Sequence, residues 1–115
     1  MSKSILRDKS YAFAIRIVKL SQFLQAEKKE FVLSKQILRS GTAIGALIRE
    51  AEFAQSKADF INKMNVALKE ANETEYWLCI LKDTDYLEEK LFMSLQKDSK
   101  ELIAMLVSTV KTSKQ

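Results

Sequence analysis

The chain of 115 residues contains no histidine and no proline, two glycines and one cysteine. Each scarcity closes off a class of protein. Without histidine there is no Ser-His or Cys-His nucleophile, and no Glu-x-x-His ligand set for a di-iron bundle. The lone thiol, Cys79, forms no internal disulfide and has neither a histidine nor a second cysteine with which to share a metal. Absence of disulfides fits a reducing cytoplasm. An all-β chain normally places glycine and proline in its many turns, so their scarcity points to long helices. No apolar run approaches the length of a membrane span. Within the first twenty residues, Arg7, Asp8, Lys9, Arg16 and Lys19 interrupt any signal-peptide core. The expectation is a soluble cytoplasmic protein with no membrane partner, no metal and no cofactor.

What is present is a chain with 47% hydrophobic and 30% charged residues, which reads as folded. One domain over residues 1–115 is long enough to bury a core without metals or disulfides. The net charge of +4 is uneven. Residues 1–57 hold 11 Lys/Arg against 5 Asp/Glu, whereas residues 58–115 hold 8 against 10. A basic half beside a slightly acidic half implies an anionic partner, two halves that attract each other, or plain solvated surface.

Apolar spacing predicts four helices. The first runs from about Lys9 to Lys28, with Phe13, Ile17, Leu20 and Leu24 on one face, and the charged cluster Ala26 to Glu30 marks a turn. The second starts near Ser34, read as its N-cap, and carries Leu33, Ile37, Gly41, Ile44, Ile48 and Ala51 on its stripe. The third begins near Ser56, where Ser56 and Asp59 make a variant capping box. Its stripe is Phe60, Met64, Ala67, Ala71, Leu78 and Leu81. After the polar stretch Lys82 to Tyr86, the fourth runs from about Leu87 to Thr112, with Leu91, Leu95, Leu102, Leu106 and Val110. Helices of roughly 20 residues are about 30 Å long. Short connections between helices of similar length favour an all-α, antiparallel, up-down-up-down four-helix bundle.

Both glycines, Gly41 and Gly45, fall in the second helix. A phosphate-binding loop would need a strand before them and a Lys-Ser or Lys-Thr after them, and neither is present. A break between helices would disturb the apolar phase, which instead runs straight through. The pair reads as a notch that lets a neighbouring backbone approach closely.

On the opposite face Lys35, Arg39 and Arg49 lie within about 80° of one another, with no acidic residue on the arc. Arg16 and Lys19 add a basic edge to the first helix. These five residues are the candidate nucleic-acid-binding set. The competing reading is that they lie along the bundle or pair with acids on another helix. Arg39 is the expected external contact and Arg49 the expected structural one. Glu75 falls near the core stripe and is expected to pair with an arginine such as Arg49, because an unpaired buried charge is very costly. Tyr76 and Trp77 read as core or interface anchors ahead of a stacking platform for bases.

The run Leu38 to Ala51, LRSGTAIGALIREA, together with Ala67 to Ala71 (ALKEA) and Glu73 to Leu78 (ETEYWL), resembles the four-helix-bundle proteins encoded in intervening sequences of 23S ribosomal RNA genes. The resemblance covers essentially the whole chain; at Leu47 that family commonly has asparagine. It implies a bundle that assembles into a ring-like homo-oligomer, typically a pentamer. A related branch, accessory proteins of diversity-generating retroelements, comprises similar basic barrels that bind nucleic acid and a reverse transcriptase. The resemblance therefore implies further copies of the chain, RNA or DNA, and a reverse transcriptase as candidate partners. The expected function is a non-enzymatic oligomeric protein that binds RNA or DNA without sequence preference through its basic surface. The alternative is a purely structural, protein-interaction assembly module.

Overall fold

The computed structural model describes residues 2–115, with side chains from Ile5 onward, so only Met1 of the chain lies outside the described residues. Four α-helices follow one another: α1, Ser2–Glu27; α2, Leu33–Glu52; α3, Lys57–Asp83; and α4, Glu89–Ser113. No strand occurs among the described residues. The bundle measures 45 × 21 × 20 Å. Helix α1 begins seven residues before the expected start near Lys9, whereas α4 runs within two residues of its expected bounds at both ends.

Every neighbouring pair of helices runs antiparallel, as the register of contacts shows. Ser40 of α2 meets Thr74 of α3, and Glu50 meets Lys63, so numbers rise on one helix as they fall on the other. The α1–α4 seam does the same, with Lys9 on Glu101 and Arg16 on Asp98. That seam is the least extensive of the four helix pairings.

Turns that lack glycine are made by other residues in the left-handed region. Lys29 has φ 54° and Asp85 has φ 68°. Asp85 follows the end of α3, where the Tyr86 amide donates to the Leu81 carbonyl at 2.9 Å and the Asp85 amide donates to Lys82 at 3.1 Å. This is the Schellman closure, with aspartate in the position that glycine usually takes.

The cap of α2 departs from the sequence expectation. Ser34 does not cap the helix; it is buried inside the first turn, and Val32 holds the cap position without a side-chain bond. The capping group is Glu30. Its carboxylate accepts from the amides of Val32, Leu33 and Ser34 at 3.2, 3.0 and 2.7 Å. Ser34 Oγ donates back to the Glu30 carbonyl at 2.8 Å, and Ser21 of α1 donates to the Ser34 carbonyl at 3.0 Å. Burial pushes the Glu30 carboxyl up, but the three amide donors outweigh it and hold the group below its ordinary value. At α3, Ser56 does cap, accepting from the Asp59 amide at 3.0 Å.

The core follows the four stripes closely. Phe13, Ile17, Leu24, Ile37, Ile44, Ile48, Met64, Leu78, Leu95 and Leu106 are among its fully buried members. One stripe starts a residue off: Phe92 takes the first core position of α4 and Leu91 is half-buried beside it. Leu47 packs half-buried against the core. Gly41 sits where α2 crosses α1, and a Cβ there would lie 2.7 Å from Ile17 Cγ2 and 2.9 Å from Cγ1. Gly45 is looser, since its Cβ would meet the Ser10 carbonyl and hydroxyl oxygens at 3.5 Å.

Candidate functional site

The five basic residues nominated from the sequence separate into two groups. Arg16 is turned onto α4, where Nη1 reaches Asp98 Oδ2 at 2.6 Å and Nη2 donates to Ser94 at 3.0 Å. Arg39 is turned onto α3. Its Nη1 meets Glu70 at 3.2 Å, and its Nη2 pairs with Glu73, which also accepts from Trp77 Nε1 at 3.0 Å. Lys19, Lys35 and Arg49 are exposed and make no ion pair among the described residues.

The expected roles of Arg39 and Arg49 are therefore exchanged. Arg39 is the arginine with structural partners, because α3 presents two carboxylates one turn apart beneath it. Arg49 is the one left outward. The expected Arg49–Glu75 pair does not form either. Glu75 faces α4, meeting Lys100 at 3.2 Å, with Gln96 donating to it at 3.5 Å.

Much of the uneven charge is thereby matched inside the molecule. Lys9–Glu101, Arg16–Asp98, Arg39–Glu70 and Arg39–Glu73 each set a cation of the basic half against a carboxylate of the acidic half. These pairs are partly or largely exposed, and each contributes at most about 1 kcal/mol. Their effect is chiefly to fix which helix faces which, and to set carboxylates beside Arg16 and Arg39, whose side chains stay 35% and 51% exposed.

The larger surprise is the outer side of α1. Ile5, Tyr11, Ile15 and Phe23 are 50%, 59%, 41% and 41% exposed. At 100° per residue they span about 120° on the side away from the core, and only Asp8 and Lys19 put charge there. Helix α1 is thus apolar on both sides, a pattern expected of a helix covered on both sides. Beside this face, an open groove of about 640 Å³ runs between α1 and α2. Ala14, Gly45 and Ala46 line it together with Tyr11, Arg49 and Phe53, the last of which is 81% exposed. Sequence spacing carried this signal in Tyr11, Ile15, Lys19 and Phe23, four residues apart, but the stronger Phe13–Ile17–Leu20–Leu24 stripe masked it.

A family model for the 23S rRNA-intervening sequence proteins matches residues 2–108. The chain belongs to that family. Among solved structures, this family member is similar to a protein of unknown function from the S23 ribosomal protein family of Bacteroides thetaiotaomicron. The two are 59% identical and superpose with a TM-score of 0.95, over 96% of this chain and 99% of the other. A search of curated proteins returns no match. The intervening-sequence family thus accounts for the four helices, and its function is unknown. No helix of this member is long and apolar enough to cross a membrane, and among the described residues no three or more Cys, Asp or Glu side chains gather as a metal site.

Proposed function

We propose that this intervening-sequence protein is a non-enzymatic, self-assembling bundle whose copies join through the outer face of α1. The observation that carries the reading is the row of exposed Ile5, Tyr11, Ile15 and Phe23 on a helix already packed into the core by its other side. Exposed apolar area of this kind is stabilised by covering it, at roughly 25 cal/mol per Å². The occupant is a second copy of the chain. The neighbouring small-residue groove at Gly45 and Ala46 leaves room for a helix to come close, and Phe53 and Tyr11 supply large apolar contacts at its margin. The ring of five implied by the resemblance is the form this assembly takes.

Light scattering on the full chain tests this reading. A monomer has a mass of 13.2 kDa, and five copies give about 66 kDa. A mass several times that of the monomer, steady across dilution in the micromolar range, is expected. A mass of 13.2 kDa at every concentration would refute self-assembly.

A second reading, sequence-independent contact with nucleic acid, is supported by the net charge of +4 and by exposed cations without acidic partners. Such contact runs through phosphate charge and weakens steeply with salt. Assembly and nucleic-acid contact are compatible, because one uses apolar surface and the other uses charge.

A further inference from the structure

Helix α4 carries a cationic row that the sequence reading did not single out. Lys90, Lys97, Lys100 and Lys111 are all exposed, and at 100° per residue they fall within about 80° of one another. The same arc holds Met93, Ala104 and Ser108, with neither an acidic nor an aromatic residue. From Lys90 to Lys111 the row extends about 32 Å along the helix axis.

The carboxylates nearest the row are held elsewhere. Glu101, at its edge, is paired with Lys9 at 3.0 Å; Asp98 is paired with Arg16; Glu89 meets Lys82 at 3.6 Å. Lys100 alone in the row has a partner, Glu75, at 3.2 Å. Lys90, Lys97 and Lys111 make no ion pair among the described residues. By contrast, Arg39 on the α2 arc is paired with Glu70 and Glu73 of α3, and the arc's unpaired members, Lys35 and Arg49, stand about 21 Å apart.

We infer that the outer face of α4 is the nucleic-acid surface, and that it lies along the phosphate backbone of a duplex. This rests on the nucleic-acid reading above and names its site and partner. Lysine is a compact, strongly hydrated point charge without the planar fork that reads base edges, which suits phosphate contact without sequence preference. Single-strand binders add aromatic side chains on which bases stack, and the arc has none. A membrane surface is the less suitable polyanion, since a helix held there presents Trp, Phe or Leu beside its lysines. A straight row of about 32 Å matches roughly one turn of duplex.

The test is a fluorescence-anisotropy titration of the assembled protein against a labelled 20-base-pair duplex, as DNA and as RNA. A 20-nucleotide single strand and phosphatidylserine vesicles serve as competitors. For the wild type, log K against log salt is expected to fall with a slope of about −3, for three phosphates neutralised per protomer. Lys90→Glu/Lys97→Glu/Lys111→Glu is expected to lose about a hundredfold in affinity at low salt with its mass by light scattering unchanged. The milder Lys90→Gln/Lys97→Gln/Lys111→Gln is expected to flatten the slope towards zero, which keeps the result readable where the reversed charges disturb folding. Lys35→Glu, which lies outside both the α4 row and the α1 seam with its groove, is expected to bind nearly as the wild type does. If this last variant loses binding and the α4 variants retain it, the α4 site is wrong and the nucleic-acid reading stands. If the folded wild type binds no duplex at low salt, both are wrong. Tighter binding of the single strand or the vesicles than of the duplex overturns the choice of partner.

Discussion

Gly41→Val is expected to destabilise the bundle by about 3 kcal/mol, at the upper end of the usual overpacking range. A Cβ at this position would stand 2.7 and 2.9 Å from Ile17 Cγ2 and Cγ1, and 3.1 Å from its Cβ. Ile17 is fully buried and branched at Cβ, so those atoms lie near the backbone and have no other rotamer to retreat into. The added group must push α1 away from α2 along a seam that also holds Phe13, Leu24 and Ile44. The same reasoning gives the opposite sign one turn on. A Cβ at Gly45 makes ordinary contact with Ser10 at 3.5 Å, so Gly45→Ala keeps the packing and gains helix propensity, about 0.5 kcal/mol of stability. Urea midpoints for the two variants, measured at one protomer concentration, are expected to move in opposite directions. A Gly41→Val midpoint equal to that of the wild type would mean that the seam is not closely packed.

Glu30→Gln is expected to lower stability by about 1–2 kcal/mol near neutral pH, the usual penalty for stranding a buried partner of a hydrogen bond. Both carboxylate oxygens are in use, Oε2 on Val32 and Leu33 and Oε1 on Ser34, and the residue is only 9% exposed. An amide in its place points an N–H group at a backbone N–H group on one side or the other. The sign with pH follows from the direction of the shift. The folded carboxyl is held below its ordinary value, so the ionised form stabilises the fold above the unfolded carboxylate range. That contribution is lost as pH falls through the folded value. Wild type and Glu30→Gln should therefore differ most near pH 7 and converge as pH falls through the lowered folded value of the carboxyl. A difference that stays constant over that range would place the effect in shape and not in charge.

Glu30 also marks a limit of sequence reading. Serine ahead of an apolar run is an ordinary N-cap signal, and Ser34 carried it. The capping carboxylate stands four residues earlier, inside a cluster, Glu27 to Glu30, that reads simply as a charged turn. Which of its members folds back cannot be seen from spacing, since it depends on the left-handed φ at Lys29. By comparison, the four apolar stripes were legible because burial repeats every three or four residues, and three of them match the core residue for residue or nearly so. On the fourth, Phe92 lies in phase with Ser99, Leu106 and Val110 on the buried face, and Leu91 falls at the edge of that face.

The candidate site was less legible, for a related reason. Periodicity states which face of its own helix a residue occupies, but not what the neighbouring helix presents to it. Arg39 lies on the outward arc of α2, yet Glu70 and Glu73 from α3 reach its guanidinium across 31 and 34 residues of chain. Counting charge along the chain misleads in the same way. Residues 58–115 carry more acid than base, but Glu70, Glu73, Asp98 and Glu101 turn toward cations on α1 and α2, whereas Lys90, Lys97 and Lys111 turn outward. A half that is acidic in sum thus presents a basic outer face.

Sedimentation equilibrium of Tyr11→Glu/Ile15→Glu beside the wild type tests most directly that α1 is the assembly seam. Both residues point away from the core, so the variant is expected to keep its helical circular dichroism and sediment as a 13.2 kDa monomer while the wild type sediments as a larger species. A folded variant that retains the mass of the wild-type assembly would contradict the account.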